Sequence, residues 1–198
     1  MLLAFIDTET TGLDPHTQEV IEIAIILVDS GKRTLTLHRK IKPERLEVAD
    51  PYALKVNGYA ANPEAWDEAL PMSVVGPEIV SFLKGAVLVG HNVSFDREFL
   101  IRNLERSGVK TKISHRSIDT ITLAFEHLQP LGLESMALDS VRKFLGWSAV
   151  GAHTALKDVE DTLRLFELVW GLSFWRKCLL RARLLALRIS GKISGGAS

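Results

Sequence analysis

A chain of 198 residues, 46% of them hydrophobic and 24% charged, is long enough to bury one substantial core and short for two. Basic and acidic residues balance at 24 each, which excludes the overall basic footprint of a non-specific nucleic-acid binder. A single cysteine, Cys178, excludes an internal disulfide and points to a reducing, cytoplasmic setting, and no stretch approaches the roughly 18 consecutive apolar residues of a membrane span.

The opening run Leu2–Ile6 is too short for a signal segment, has no basic residues before it, and enters Asp7 as a strand does. Thr10 to Pro15 then breaks the run as a turn. Val20 to Asp29 is nearly continuous in Ile and Val, which predicts a central strand buried on both faces. Ser30-Gly31-Lys32 turns into a third strand from about Arg33 to Ile41, where Leu35 and Leu37 alternate with polar neighbours. Residues 43–71 are rich in turn formers, with a short helix expected from Pro51 to Val56.

A helix from Pro77 to Lys84 leads into a buried strand, Ala86 to Val89. Ser94 opens a helix to about Arg106, with Phe95, Phe99, Leu100 and Leu104 on its apolar side. Ser117 to Asp119 is expected as a short last strand, and Ser135 to Leu145 as a helix ending at Gly146. Thr154 to Trp170 carries the clearest helical period, in Leu156, Val159, Leu163, Phe166 and Trp170. Three leading strands followed by alternating helices and strands predict an α/β sandwich around a mixed sheet, with its ligand at the strand ends.

Four acids and a histidine stand out in that frame. Asp7 and Glu9 lie two apart near a strand end, so both leave one face, where they repel unless a cation lies between them. The competing reading is an exposed strand end with solvated acids. Asp96 opens a helix and could serve only as a favourable N-terminal charge, but it follows a buried strand and so reaches the same sheet edge. His153 and Asp158 are five apart, which on one helix would set them about 140° from each other. His153 is therefore expected just before the helix, with Thr154 as cap and Asp158 facing in from the second turn. A structural histidine is the alternative there.

As a set these residues resemble the DnaQ-like, or DEDDh, 3′–5′ exonucleases. The matching motifs are Asp7-Thr8-Glu9-Thr10-Thr11-Gly12, His91-Asn92 with Phe95-Asp96, and His153 with Ala155 and Asp158. The tyrosine subclass would have Tyr four residues before the last Asp, where this chain has Thr154. The resemblance covers residues 1–170 and implies an RNase H-like three-layer sandwich with a five-stranded mixed sheet. It implies two divalent ions, Mg²⁺ or Mn²⁺, held by Asp7, Glu9, Asp96 and Asp158, with His153 as general base.

By the same resemblance, Thr10, Thr11 and Gly12 would hold the 3′-terminal nucleotide and Leu13 would wedge against its base, unless Leu13 is an ordinary turn residue. The stretch from Asp50 to Gly58 resembles the helix that closes over that nucleotide. Some relatives carry Glu and His where this chain has Tyr52 and Asn57, so Tyr52 either stacks on a base or caps the core. His91 and Asn92 border the second motif and, with Asn57, are expected at the substrate, His91 being hydrogen-bonded beside Asp96. Asp119 is expected to be architectural, and Glu160 and Asp161 to belong to a solvated helix face.

DNA is the favoured substrate, an exoribonuclease the alternative. A non-catalytic nucleic-acid adaptor would be expected to have lost acids or the histidine, and all five are present.

Residues 171–198 hold six basic residues and no acid, which leaves 18 basic residues against 24 acids, a charge of about −6, in residues 1–170. An acidic body that handles phosphates must recruit cations, in keeping with a carboxylate metal site. Phe174, Trp175, Cys178, Leu179, Ala182, Leu185 and Ile189 recur at helical spacing, so 171–193 is expected as a basic amphipathic helix and 194–198 as a disordered tail. Such a helix could pack on the body, dock a polymerase or other partner, or lie on a membrane surface.

Overall fold

The computed structural model describes residues 1–170 and five helical positions beyond them, Cys178, Ala182, Arg183, Leu185 and Ala186. The expectations for 171–193 and 194–198 otherwise lie outside the described residues. Three antiparallel strands come first, β1 (Leu2–Thr10), β2 (Val20–Asp29) and β3 (Lys32–Lys40). Helix α1 (Pro51–Val56) and helix α2 (Met72–Leu83) precede β4 (Val87–Gly90), which pairs parallel to β1. Helix α3 (Val93–Arg106) crosses to β5 (Ser117–Asp119), parallel to β4. Helices α4 (Thr120–His127), α5 (Leu138–Leu145) and α6 (Ala155–Val169) follow, and the sheet order is β3-β2-β1-β4-β5.

This is the mixed five-stranded sheet that the sequence resemblance implies. Alternation along β1 sends Phe5 to one face and Ala4 and Ile6 to the other. Phe5, Ala24, Ile26 and Val89 pack under α4, α5 and α6, through residues such as Ala124, Val141, Val159 and Phe166. Ala4, Ile6, Ile23, Ile25 and Leu88 pack under α2 and α3, through Ile79, Leu83, Phe99 and Leu100. Because β2 is covered on both faces, it is buried from Val20 to Val28. Edge strand β3 buries only Leu37 and blunts its open side with lysine and arginine.

Three helices depart from the sequence expectation, α5 by starting at Leu138 rather than Ser135. Helix α2 starts at Met72, five residues before Pro77, and carries that proline inside it. Its stripe of Met72, Val75, Gly76, Ile79 and Leu83 faces the core and outweighs the hydrogen bond that Pro77 cannot donate. Gly76 belongs to that stripe because a Cβ there would collide with Leu104 of α3. Helix α4 was not foreseen: its eight residues include two threonines and an isoleucine, a composition poor in helix formers. Asp119 starts it by accepting the Ile121 N–H at 2.9 Å, and the same carboxylate accepts the N–H groups of Asn92 and Val93 at 3.1 Å. One aspartate thereby caps two helices, the architectural role expected of it.

Parallel pairing of β1 and β4 brings the end of β1 and the start of α3 to one edge of the sheet. Asn103 of α3 ties this edge to β2. Its side-chain oxygen accepts the Val20 N–H at 3.1 Å, and its amide donates to the Phe99 carbonyl at 2.8 Å. Asn103→Ala removes that acceptor from a buried N–H and should destabilise the fold by about 1–3 kcal/mol. Chemical denaturation would register this as a lower midpoint with an unchanged slope; an unchanged midpoint would show that Val20 finds another acceptor.

Candidate active site

Asp7 and Glu9 leave the same face of β1 and keep part of their surface accessible, while Thr8 between them is buried. Asp158, buried in the first turn of α6, meets them: one oxygen from each of the three carboxylates lies within 4.8 Å of the others. Asp96 stands beside this group rather than in it. One of its oxygens accepts both the N–H and the hydroxyl of Thr8 at 2.8 Å, which binds α3 to β1. That oxygen is committed to Thr8, yet the Asp96 charge is near enough to act on Asp7.

His153 sits on the loop before α6, as the spacing predicted, with a left-handed φ of 62°. Its backbone N–H donates to Asp158 Oδ1 at 3.2 Å, and its ring Nε2 lies 3.3 Å from Asp139 Oδ2. The ring therefore rests on α5 and remains partly exposed.

The turn after β1 is stapled by its neighbours. The Thr10 hydroxyl donates to the Gly12 carbonyl at 2.6 Å, and the Thr10 carbonyl accepts the Asn57 amide at 2.9 Å. Thr11 is fully buried; its N–H donates to the Glu19 carbonyl and its hydroxyl accepts the Glu19 N–H, both at 2.8 Å. Gly12 leaves room for the Gln18 amide, which a Cβ would strike. Leu13 and Tyr52 project from this frame at 78% and 74% exposure. Tyr52 therefore does not cap the core. Asn57, expected at the substrate, is buried and holds the turn from behind.

His91 is hydrogen-bonded away from Asp96. Its Nε2 lies 2.6 Å from the Met136 carbonyl, which can only accept, so Nε2 carries the proton and Nδ1 faces the Thr120 hydroxyl at 2.9 Å. Burial lowers its pKa and keeps the ring neutral. Asn92 takes a left-handed φ of 71° at the head of α3, and its N–H goes to Asp119. Both residues serve the frame that aims Asp96.

The sequence reading missed Arg142. Its guanidinium is 2% exposed and spreads over three aspartates: Nε to Asp161 at 2.7 Å, Nη1 to Asp139 at 2.7 Å and Nη2 to Asp158 at 2.6 Å. Asp161 is a correction. It is buried rather than solvated, because Arg142 and the Lys157 ammonium, 2.6 Å from Asp161 Oδ1, draw it inward. Glu160 does face solvent, opposite Arg33. The signal available in the sequence was a pair of same-helix charge spacings, Asp139 with Arg142 and Lys157 with Asp161.

The cluster is short of positive charge. Burial first, then Asp96, Asp158 and Glu9, holds Asp7 well above the usual carboxylate range. Glu9 is pushed up to about 8 by burial, with Asp158 and Glu22 adding to it. Burial raises Asp96 to about 7 against the two bonds from Thr8, and raises Asp158 against Arg142 and His153. Oxygen-only donors gathered under mutual repulsion fit a hard divalent cation.

The chain is similar in sequence and in fold to known exonucleases. The exonuclease family model RNase_T matches residues 4–166. Ribonuclease T of Shewanella frigidimarina is 33% identical over 181 residues, covering 83% of this chain and 80% of the relative. DNA polymerase III subunit epsilon of Treponema pallidum is 33% identical over 165 residues, covering 81% of this chain and 72% of the relative. PolC-type DNA polymerase III of Thermotoga maritima is 34% identical over 161 residues, or 81% of this chain, which spans only 11% of that polymerase. In fold, the chain superposes on Escherichia coli exonuclease I in complex with a dT13 oligonucleotide at a TM-score of 0.75. That match has 23% identity and covers 96% of this chain and 45% of the other. The fold is RNase H-like. With the family model spanning nearly the whole described body, the chain belongs to the DnaQ-like exonuclease family.

Proposed function

We propose that this chain is a divalent-metal-dependent 3′–5′ exonuclease that releases nucleoside monophosphates from the 3′ end of DNA. The observation that carries the reading is the convergence of Asp7, Glu9 and Asp158, from two distant segments, within 4.8 Å, beside Asp96 and the His153 loop. Asp7, Glu9, Asp158 and Asp96 would hold two divalent ions, Mg²⁺ or Mn²⁺. When bound, such ions lower the pKa of an attacking water and stabilise the departing 3′ oxygen. His153 would take the water proton, within the reach its loop position allows. The stapled turn from Thr10 to Gly12 would seat the terminal nucleotide, and exposed Leu13 and Tyr52 would pack on its base.

RNA is the second reading, and one observation favours it: the ribonuclease T relative aligns over 80% of its own length. Similarity to a polymerase III subunit and to a segment of PolC-type polymerases supports a polymerase as partner, docked through 171–193. A cytoplasmic setting belongs to the same reading. Among the described residues no helix is long and apolar enough to cross a membrane.

Matched DNA and RNA oligonucleotides, labelled at either end and incubated with Mg²⁺, Mn²⁺ or EDTA, test the proposal. Metal-dependent shortening of 5′-labelled DNA one nucleotide at a time is expected; cleavage that persists in EDTA, or internal cuts, would overturn it. His153→Ala should lower turnover by about 10²–10⁴-fold while calorimetry shows metal binding retained. A near-normal rate would remove the general-base role.

The raised carboxylates set a pH dependence. A carboxylate whose folded-state pKa exceeds its unfolded value binds more protons when folded, so stability falls as pH rises between the two values. For Glu9 that window runs from 4.5 to about 8. The metal-free protein should lose melting temperature across it, and Mn²⁺ should restore more at pH 8 than at pH 5. Equal gains at both pH values would mean that these carboxylates do not hold the ion.

A further inference from the structure

Arg142 and Asp139 lie outside the acidic motifs, yet they join two parts of the site. Asp139, on the first turn of α5, uses both oxygens: Oδ1 accepts Arg142 Nη1 at 2.7 Å, and Oδ2 faces His153 Nε2 at 3.3 Å. Arg142 is immobilised in turn, with Nε on buried Asp161 at 2.7 Å and Nη2 on Asp158 at 2.6 Å. Asp158 Oδ1 closes the circuit by accepting the His153 backbone N–H at 3.2 Å. The planar fork of a guanidinium can hold three carboxylates in fixed directions, which an ammonium cannot.

Chemistry gives the circuit a purpose. A neutral imidazole carries one proton, and an aspartate oxygen at Nε2 favours the tautomer with that proton on Nε2. Nδ1 then keeps the free lone pair. A base oriented by a carboxylate, which is itself anchored, is the arrangement that general-base catalysis uses elsewhere.

We propose that Arg142 and Asp139 form a positioning relay, in which Arg142 sets the direction of the Asp158 carboxylate and Asp139 holds His153 with Nδ1 free to act as the base. The relay rests on the exonuclease reading for the role of His153, but not for its contacts. Neither residue touches substrate; both act through others.

The test uses the full chain and three variants, Asp139→Asn, Asp139→Glu and Arg142→Lys. Readouts are kcat and KM on a 5′-labelled single-stranded oligonucleotide, Mn²⁺ affinity by calorimetry without substrate, and the imidazole nitrogen shifts of His153 by NMR. Asp139→Asn should lower kcat about 10–100-fold, leave KM and Mn²⁺ affinity within about twofold, and mix the His153 tautomers. Asp139→Glu should recover part of kcat. Arg142→Lys keeps the charge but releases Asp158, and should weaken Mn²⁺ binding about 10-fold or more.

Unchanged kcat and unchanged His153 shifts in Asp139→Asn would overturn the relay. Asp139 is 56% exposed, so that variant carries the test even if Arg142→Lys does not fold. An unaltered chain without metal-dependent cleavage would instead sink the exonuclease reading. The relay would then be judged on Mn²⁺ affinity and the His153 shifts alone.

Discussion

Like charge held at close range governs this molecule. Three carboxylates with oxygens inside 4.8 Å repel by on the order of 3 kcal/mol for each fully charged pair at an effective dielectric of about 20. Protonation relieves that repulsion in the metal-free protein: burial first, and then the neighbouring carboxylates, hold Asp7 and Glu9 above their ordinary pKa values, and burial raises Asp158. Arg142 opposes the shift at each of the three, from one side only. A cation on the open side is the natural complement, and the fold is arranged to keep that side accessible at the strand end.

The scaffold gives the repulsion nowhere to dissipate. Asp7 and Glu9 are fixed by β1, whose nine residues run between β2 and β4 in the middle of the sheet. Asp96 cannot swing away because Thr8, between the two acids, holds it with both backbone and side chain. Asp158 is set by the packing of α6 on β1 and β2 through Val159, Leu163 and Phe166. Hydrophobic burial far from the site thus supplies the force that keeps the carboxylates together.

Much of this was legible in the chain because it follows local rules. The Ile and Val run of β2 and the helical period of α6 report burial on both faces and on one stripe, whereas the alternation of Leu35 and Leu37 overstates the buried face of β3, because Leu35 is exposed on that edge strand. The five-residue spacing of His153 and Asp158 placed the histidine off the helix, where its positive φ confirms a break. What stayed hidden depends on partners distant in sequence. Arg142 looks like a surface residue until Asp158 and Asp161, on a different helix, converge on it. Asp161 shows a helical spacing to Lys157 that is typical of solvated faces, and only the buried guanidinium turns it inward. Asn57 could be read as a substrate contact because nothing local says that its amide reaches back to Thr10. Pro77 masked the first turn of α2, and the β-branched residues of α4 hid a helix that Asp119 caps.

The most direct measurement is a crystal structure grown with Mn²⁺ and a nucleoside monophosphate, with anomalous scattering recorded at the manganese edge. This account predicts anomalous peaks coordinated by Asp7, Glu9 and Asp158, the second sharing Asp7 and approached by the free oxygen of Asp96. Manganese bound elsewhere, with those four carboxylates uncoordinated, would contradict it.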